Sequence, residues 1–319
     1  QQGARFQTAG GYVHSGSEII VGGGGDGSVL ASNDAQVNVT GDGATLIVGG
    51  GAYDGGGNPL PAPVQSLLTI TSGADVLVDS ETYGNDPSAP YSNGSRISIG
   101  DRDSGDGRVV VDGSGSTLTV TSQTNIVDDG GTGNLPVGNL GNGVLDVLNN
   151  GAVNARTLFV GAQSFYDDGS GRQYGGYLPT VTAAGSGTLT INSGGDVTVT
   201  AASGAPSIGV RIANDSGTTG SVTVSGLGST LTSQGGEGRI LVARYGDGDL
   251  TIDQGGSVYG FFVGVGRAEG SDGDLFVDGY GSRLLVSDAY GNFSAEPEFA
   301  GEAGFLRIGR EDGSNGYMS

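Results

Sequence analysis

The chain has 319 residues, 67 of them Gly, with no Cys and no Trp, and a formal charge of -21. That charge argues against a nucleic-acid partner, which needs a basic footprint, and against direct binding to anionic membranes; the absence of Cys excludes disulfides and thiolate chemistry. Hydrophobic residues still make up 35% of the chain and fall at regular intervals, so disorder is excluded as well.

Residues 1–18 carry no copy of the repeats described below and are expected to form an N-terminal capping or lead-in segment. The chain opens on Gln1 and its one Met is Met318. This suggests a processed or trimmed start and, together with the missing Cys, export from a bacterium. Residues 19–319 are predicted to be repeats that continue beyond the C-terminus.

Two motifs recur. The first is Leu-x-[Ile/Val], a Gly pair or near-pair, then Val, at Leu68–Val76, Leu145–Val153, Leu189–Val197 and Leu250–Val258. The second is apolar-x-Val-x-Gly-x-Gly-[Ser/Ala]-x-Leu, at Val37–Leu46, Val109–Leu118, Val222–Leu231 and Leu275–Leu284. A third element, [Ile/Leu/Phe]-x-[Ile/Val]-Gly, occurs at Ile97–Gly100, Leu158–Gly161, Phe261–Gly264 and Leu306–Gly309. Short alternation bounded by Gly is the pattern of half-buried strands, with Leu, Ile and Val on one face and Thr, Asp and Ser on the other. Strands this short need a partner for the apolar face, and stacked coils supply one. The compact unit from Leu231 to Leu284 fits two coils, which gives roughly a dozen coils for the chain. The sequence after Leu306-Arg307-Ile308-Gly309 reads as the approach to a strand that does not follow.

The pairing of the first two motifs resembles the repeats of bacterial autotransporter passengers and of PEP-CTERM-associated surface proteins, over most of Ile19 to Gly309. The resemblance implies an all-β fold, a right-handed parallel β-helix (solenoid): a single elongated domain with loop insertions. It further implies display outside the cell, at the bacterial cell surface, often for adhesion or self-association. It carries over no functional residue.

Insertions interrupt the repeats at 52–66, 79–93, 163–186 and 288–303. The first and third follow matching Val-Gly corners and should leave the solenoid along one edge. They concentrate aromatic residues, and Tyr53, Tyr83, Tyr91, Phe165, Tyr166, Tyr174, Tyr177 and Tyr290 are the candidate ligand-binding residues. Tyr suits sugar or protein surfaces because it joins an apolar ring to a polar tip; the alternative is that these rings fold back onto the solenoid flank.

Turn acids invite calcium. The candidates are Asp101, Asp103 and Asp106, with Asp247-Gly248-Asp249 and Asp272-Gly273-Asp274 as further pairs, although none matches the EF-hand loop or the calcium-binding nonapeptide and plain turn chemistry is the favoured reading. Arg102, Arg211, Arg244, Arg267 and Arg310 each follow a corner and have a nearby acid. They read as surface Arg–Asp pairs bracing turns, or as an anion-binding groove. Paired Thr residues such as Thr69/Thr71 and Thr198/Thr200 could align into an ice-binding ladder, or simply form the solvent face of strands. His14, the only His, lies beside Ser15 and outside the repeats. The expectation is therefore a non-catalytic adhesin or stalk whose partner is a cell-surface glycan or protein, or a second copy of itself. The rival readings are a polysaccharide lyase or hydrolase on a β-helix, and a pure spacer.

Overall fold

The computed structural model describes residues 4–9, 12–15, 18–22, 26–41, 44–50, 65–80, 95–101, 105–122, 133–162, 184–201, 209–236, 238–290, 304–309 and 313–319. It is a three-sided parallel β-helix with one sheet of ten strands and two of nine. Sheet A contains Ala4–Ala9, Gly27–Ser32, Ser66–Thr71, Asp106–Asp112, Asn142–Leu148, Ser186–Asn192, Thr219–Ser225, Asp247–Asp253, Asp272–Val277 and Asn315–Met318. Sheet B contains Tyr12–Ser15, Gln36–Thr40, Asp75–Ser80, Thr117–Ser122, Ala152–Ala155, Asp196–Thr200, Thr230–Gln234, Ser257–Gly260 and Arg283–Val286. Sheet C contains Glu18–Val21, Thr45–Gly50, Arg96–Asp101, Asn134–Asn139, Thr157–Ala162, Val210–Ile212, Arg239–Val242, Phe262–Val265 and Phe305–Ile308. Each coil runs A to B to C, so the described strands complete nine coils and open a tenth.

The expected dozen coils is too many because most coils are longer than the compact unit. The sheet A register advances 25 residues from Leu250 to Leu275 but 44 from Leu145 to Leu189. Both ends also differ from expectation. Ala4–Ala9 and Tyr12–Ser15 already pair with Gly27–Ser32 and Gln36–Thr40, so the first coil lies largely inside the segment read as a lead-in. Asn315–Met318 forms the strand thought missing, with Met318 in register on Leu275.

The interior consists of stacked columns. Leu68, Val109, Leu145, Leu189, Val222, Leu250 and Leu275 occupy one column of sheet A, and none is more than 2% exposed. Sheets B and C contribute similar columns to the same cluster. Each such side chain contributes about 1.5–3 kcal/mol by leaving water, and it touches mainly the rungs above and below, so cohesion is passed from coil to coil.

The first two motifs turn out to be two forms of one corner. Leu68–Val76, Leu145–Val153, Leu189–Val197 and Leu250–Val258 all cross from sheet A to sheet B, and so do Val109–Leu118, Val222–Leu231 and Leu275–Leu284. Val37–Leu46 is the exception, since it crosses from sheet B to sheet C. The shorter form places two successive residues in the left-handed region, as at Ser193 (φ 54°) and Gly194 (φ 83°), or Asn149 (φ 50°) and Asn150 (φ 66°). Asn tolerates that conformation, which is why Asn150 can stand where other copies have Gly. The longer form ends in Ser, whose hydroxyl reaches the preceding coil: Ser116, Ser229 and Ser282 Oγ accept from the amides of Gly73, Gly194 and Gly255 at 3.2, 3.1 and 3.0 Å. Each longer corner thus sits on a shorter one and satisfies an amide that its turn leaves unpaired.

A second constant feature is a seam of glycines at the entry to sheet A. Gly107, Gly143, Gly187, Gly220, Gly248, Gly273 and Gly316 are in register on successive coils. A Cβ on Gly143 would lie 2.1 Å from Gly138 N and 2.4 Å from Ile99 O, both backbone atoms. At Gly143 the chain leaving sheet C passes too close for a side chain, whereas Ser66 holds the same register position in the coil of Leu68. Among the described residues no helix is long and apolar enough to cross a membrane.

Candidate functional site

The three corners differ in what they carry. Between sheets A and B the connections hold two to five residues in every coil. Every long connection lies at one of the other two corners. Residues 51–64 and 163–183 join sheet C to sheet A, after Gly50 and Ala162, so the two insertions expected on one edge do leave the same corner. Residues 81–94, 123–132, 202–208 and 291–303 lie between sheets B and C. All of the long connections therefore border sheet C. Tyr53, Tyr83, Tyr91, Phe165, Tyr166, Tyr174 and Tyr177 lie outside the described residues, but their points of attachment do not, and those flank this one sheet.

Sheet C also breaks the expected alternation. Its outward positions include Ile47, Ser98, Phe159 and Leu241, all at most 6% exposed, so both faces are buried through much of its length. Runs such as Leu46-Ile47-Val48, Phe159-Val160 and Ile240-Leu241-Val242 are the continuous apolar pattern of a strand covered on both sides. Leu241, Phe261 and Phe262 form a second apolar cluster outside the main core, with Tyr290 and Phe305 packed against it. The Tyr290 ring lies 5.5 Å from that of Tyr259, and Phe262 meets Phe305 edge-on at 4.7 Å. Tyr290, in the short 3-10 turn Asp288–Tyr290, is therefore half-buried and folds back on the flank. The third motif needs a shift in the same region. Gly264 lies mid-strand opposite Leu241, and the corner glycine is Gly266 (φ 61°). Ala213 (φ 51°) and Ala243 (φ 55°) take that corner position in two coils, unrecognised in the sequence because neither is Gly.

Asp101 is 5% exposed. Its Oδ1 accepts from Ser98 Oγ at 2.8 Å and from Asn139 Nδ2 at 2.9 Å, and its Oδ2 faces Arg96 Nη2 at 4.0 Å. Asp106 instead accepts from Gln65 Nε2 at 2.9 Å, and Asp103 lies outside the described residues. The two described acids of the calcium set thus have separate protein partners. The other pairs stack, Asp247 on Asp272 and Asp249 on Asp274. Burial, then Asp274, Asp272 and Asp247 in turn, raise the Asp249 carboxyl above its usual value. No group of three or more metal-ligating side chains occurs among the described residues.

Arg211 and Arg244 share a neutral partner where Arg–Asp pairs were expected. Arg211 Nη1 and Arg244 Nη1 both donate to Asn214 Oδ1, at 3.1 and 3.3 Å. Asn214 Nδ2 in turn donates to Asp215 Oδ1 at 2.9 Å. Arg211 lies over the Phe159 ring and Arg244 over that of Tyr245, at 5.8 and 4.7 Å. Burial, then Arg244 and Arg267, lower the Arg211 pKa well below the usual value; Asp215 opposes this and Arg239 adds to it. Arg102 and Arg310 lie outside the described residues. The Thr pairs are divided between sheets, Thr69/Thr71 on sheet A with Thr69 against Val110 and Thr198/Thr200 on sheet B, and the stacked column Thr190–Thr223–Thr251 on sheet A lies between Asp146 and Phe276. His14 lies in sheet B opposite Asn38.

No family model, curated protein or solved structure matches this chain.

Proposed function

We propose that the protein is an exported β-helix displayed at the bacterial cell surface, and that it mediates attachment or self-association by non-catalytic contact. The observation that carries this reading is the confinement of every long connection to the two corners around sheet C. Repeat proteins build binding surfaces by lengthening loops on one side of a regular scaffold. The aromatic residues of 51–64, 81–94 and 163–183 are attached along that side, where several shallow contacts would add through multivalency. The partner is a cell-surface glycan or protein, or a second copy of the chain.

The test replaces residues 163–183 with a short turn and compares attachment and autoaggregation of cells or beads bearing each form. Attachment should drop when this connection is removed and should survive when exposed Leu227, on the opposite ridge, is changed to Ser. Equal attachment by both forms would leave a spacer as the better reading. Release of reducing ends or unsaturated sugars from a glycan panel would replace contact with catalysis.

A further inference from the structure

We propose that Arg211 and Arg244, clamped together by Asn214, recognise the carboxylate of an acidic saccharide. The inference rests on the reading of the sheet C side as the contact face and names the chemistry of one site there.

The backbone sets the arrangement. The amides of Asn214, Arg244 and Arg267 bond to Gly161, Ala213 and Ala243 carbonyls at 3.0, 3.1 and 3.1 Å. Ala162, Asn214, Arg244 and Arg267 therefore occupy one corner position in consecutive coils. Residues 163–183 leave the scaffold at Ala162, one rung from Asn214.

Two guanidiniums meet at one neutral acceptor. In a chain of charge -21, carboxylates are plentiful, yet among the described residues neither Arg211 nor Arg244 makes an ion pair with one. Arg244 Nε is buried with no hydrogen-bond partner among the described residues. Like charges drawn together in a half-buried setting are unfavourable until an anion joins them, and the Arg fork matches a carboxylate. Burial first, and then repulsion from Arg244 and Arg267, lower the Arg211 pKa, with Asp215 opposing them. Tyr245, 43% exposed, stands beside Arg244 and offers a ring to a sugar face. Successive rungs are about 4.8 Å apart, the scale of one sugar ring. A pendant carboxylate on a saccharide thus meets both the charge and the aromatic surface, and a short acidic oligosaccharide would run from the Arg244 rung toward the Arg267 rung.

The experiment titrates trigalacturonate into the full chain at low ionic strength, by calorimetry and by NMR. Binding should saturate, weaken by about tenfold or more in Arg211→Gln/Arg244→Gln, and fall similarly for fully methyl-esterified trigalacturonate. No binding to the unaltered chain, or equal binding by variant and ester, would overturn the proposal. Thermal unfolding separates a recognition role from a structural one. Arg244→Gln removes a repelling cation, so its midpoint should hold or rise, and a clear fall would make the cluster structural and also overturn the proposal. Cell or bead attachment unchanged in the double variant would sink this site while leaving the contact reading intact.

Discussion

The ridge between sheets A and B and the flank around sheet C are made by the same coils and obey opposite rules. On the ridge every connection is short, and its polar groups bond to the adjacent coil, as Ser229 does to Gly194. Around sheet C connections range from the single residue Arg156 to the 23 residues between Ala162 and Ser186. There the outward face is largely buried, and Arg211 and Arg244 meet at Asn214 and not at a carboxylate. The contrast indicates that a solenoid needs only one corner held constant to keep its register. The remaining corners are then free to vary, with re-entry into sheet A marked by a glycine in most coils and by Ser66 in one.

That re-entry gives the largest expected effect. Gly143→Ala should cost roughly 3 kcal/mol or more, because backbone atoms on both sides block the new methyl group. Urea unfolding measures it; a loss below about 1 kcal/mol would show that the variable corner has no fixed exit. Next is Asp101→Ala, which strands buried Ser98 and the Asn139 amide and should cost roughly 2–3 kcal/mol. Since Asp101 already has protein donors, a chelator should leave the unfolding midpoint unchanged; a drop would restore calcium to this corner. On the ridge, Ser229→Ala removes the acceptor for Gly194 N and should cost about 1 kcal/mol, with faster amide exchange at Gly194. The smallest effect concerns the Asp stack on sheet A. The raised Asp249 pKa means that its carboxyl favours the fold when protonated, below the ordinary value of 3.8, and that this contribution is lost as pH rises through the higher folded-state value. Asp249→Asn should therefore raise the melting temperature slightly at pH 7 and not at pH 3. A variant equal to wild type at both values would remove the proposed repulsion.

The fold was legible because its strongest constraint is local. Alternation and Gly-marked corners follow from the pleat and from positive φ, so Leu189-Thr190-Ile191 declares both its faces. The early copies are harder to recognise because their corners are marked differently. Val29 to Val37 repeats the eight-residue spacing, but its corner uses Asn33 and Asp34, at φ 55° and 57°, in place of Gly. Alternation alone misleads at sheet C, where the unbroken apolar runs around Ile47 and Leu241 signal burial on both faces. The site was less legible. The acids nearest Arg211 and Arg244 in sequence are Asp215 and Asp247, whereas the two arginines meet at Asn214 because two coils stack. Contacts between rungs separate residues by a coil length that varies, so no fixed spacing announces them. Tyr290 shows the same limit, since its packing on the Leu241–Phe262 cluster depends on three different coils.

The glycine seam has one more consequence. Because the chain crosses into sheet A in the same way at Gly187, Gly220, Gly248 and Gly273, each crossing is a natural splice point. A segment from one such glycine to the next is a cassette, and duplicating or deleting it shifts everything beyond by whole rungs without changing which face any side chain presents. Reach can therefore be altered by copying genes in register, with the aromatic loops and the arginine shelf carried along as cargo.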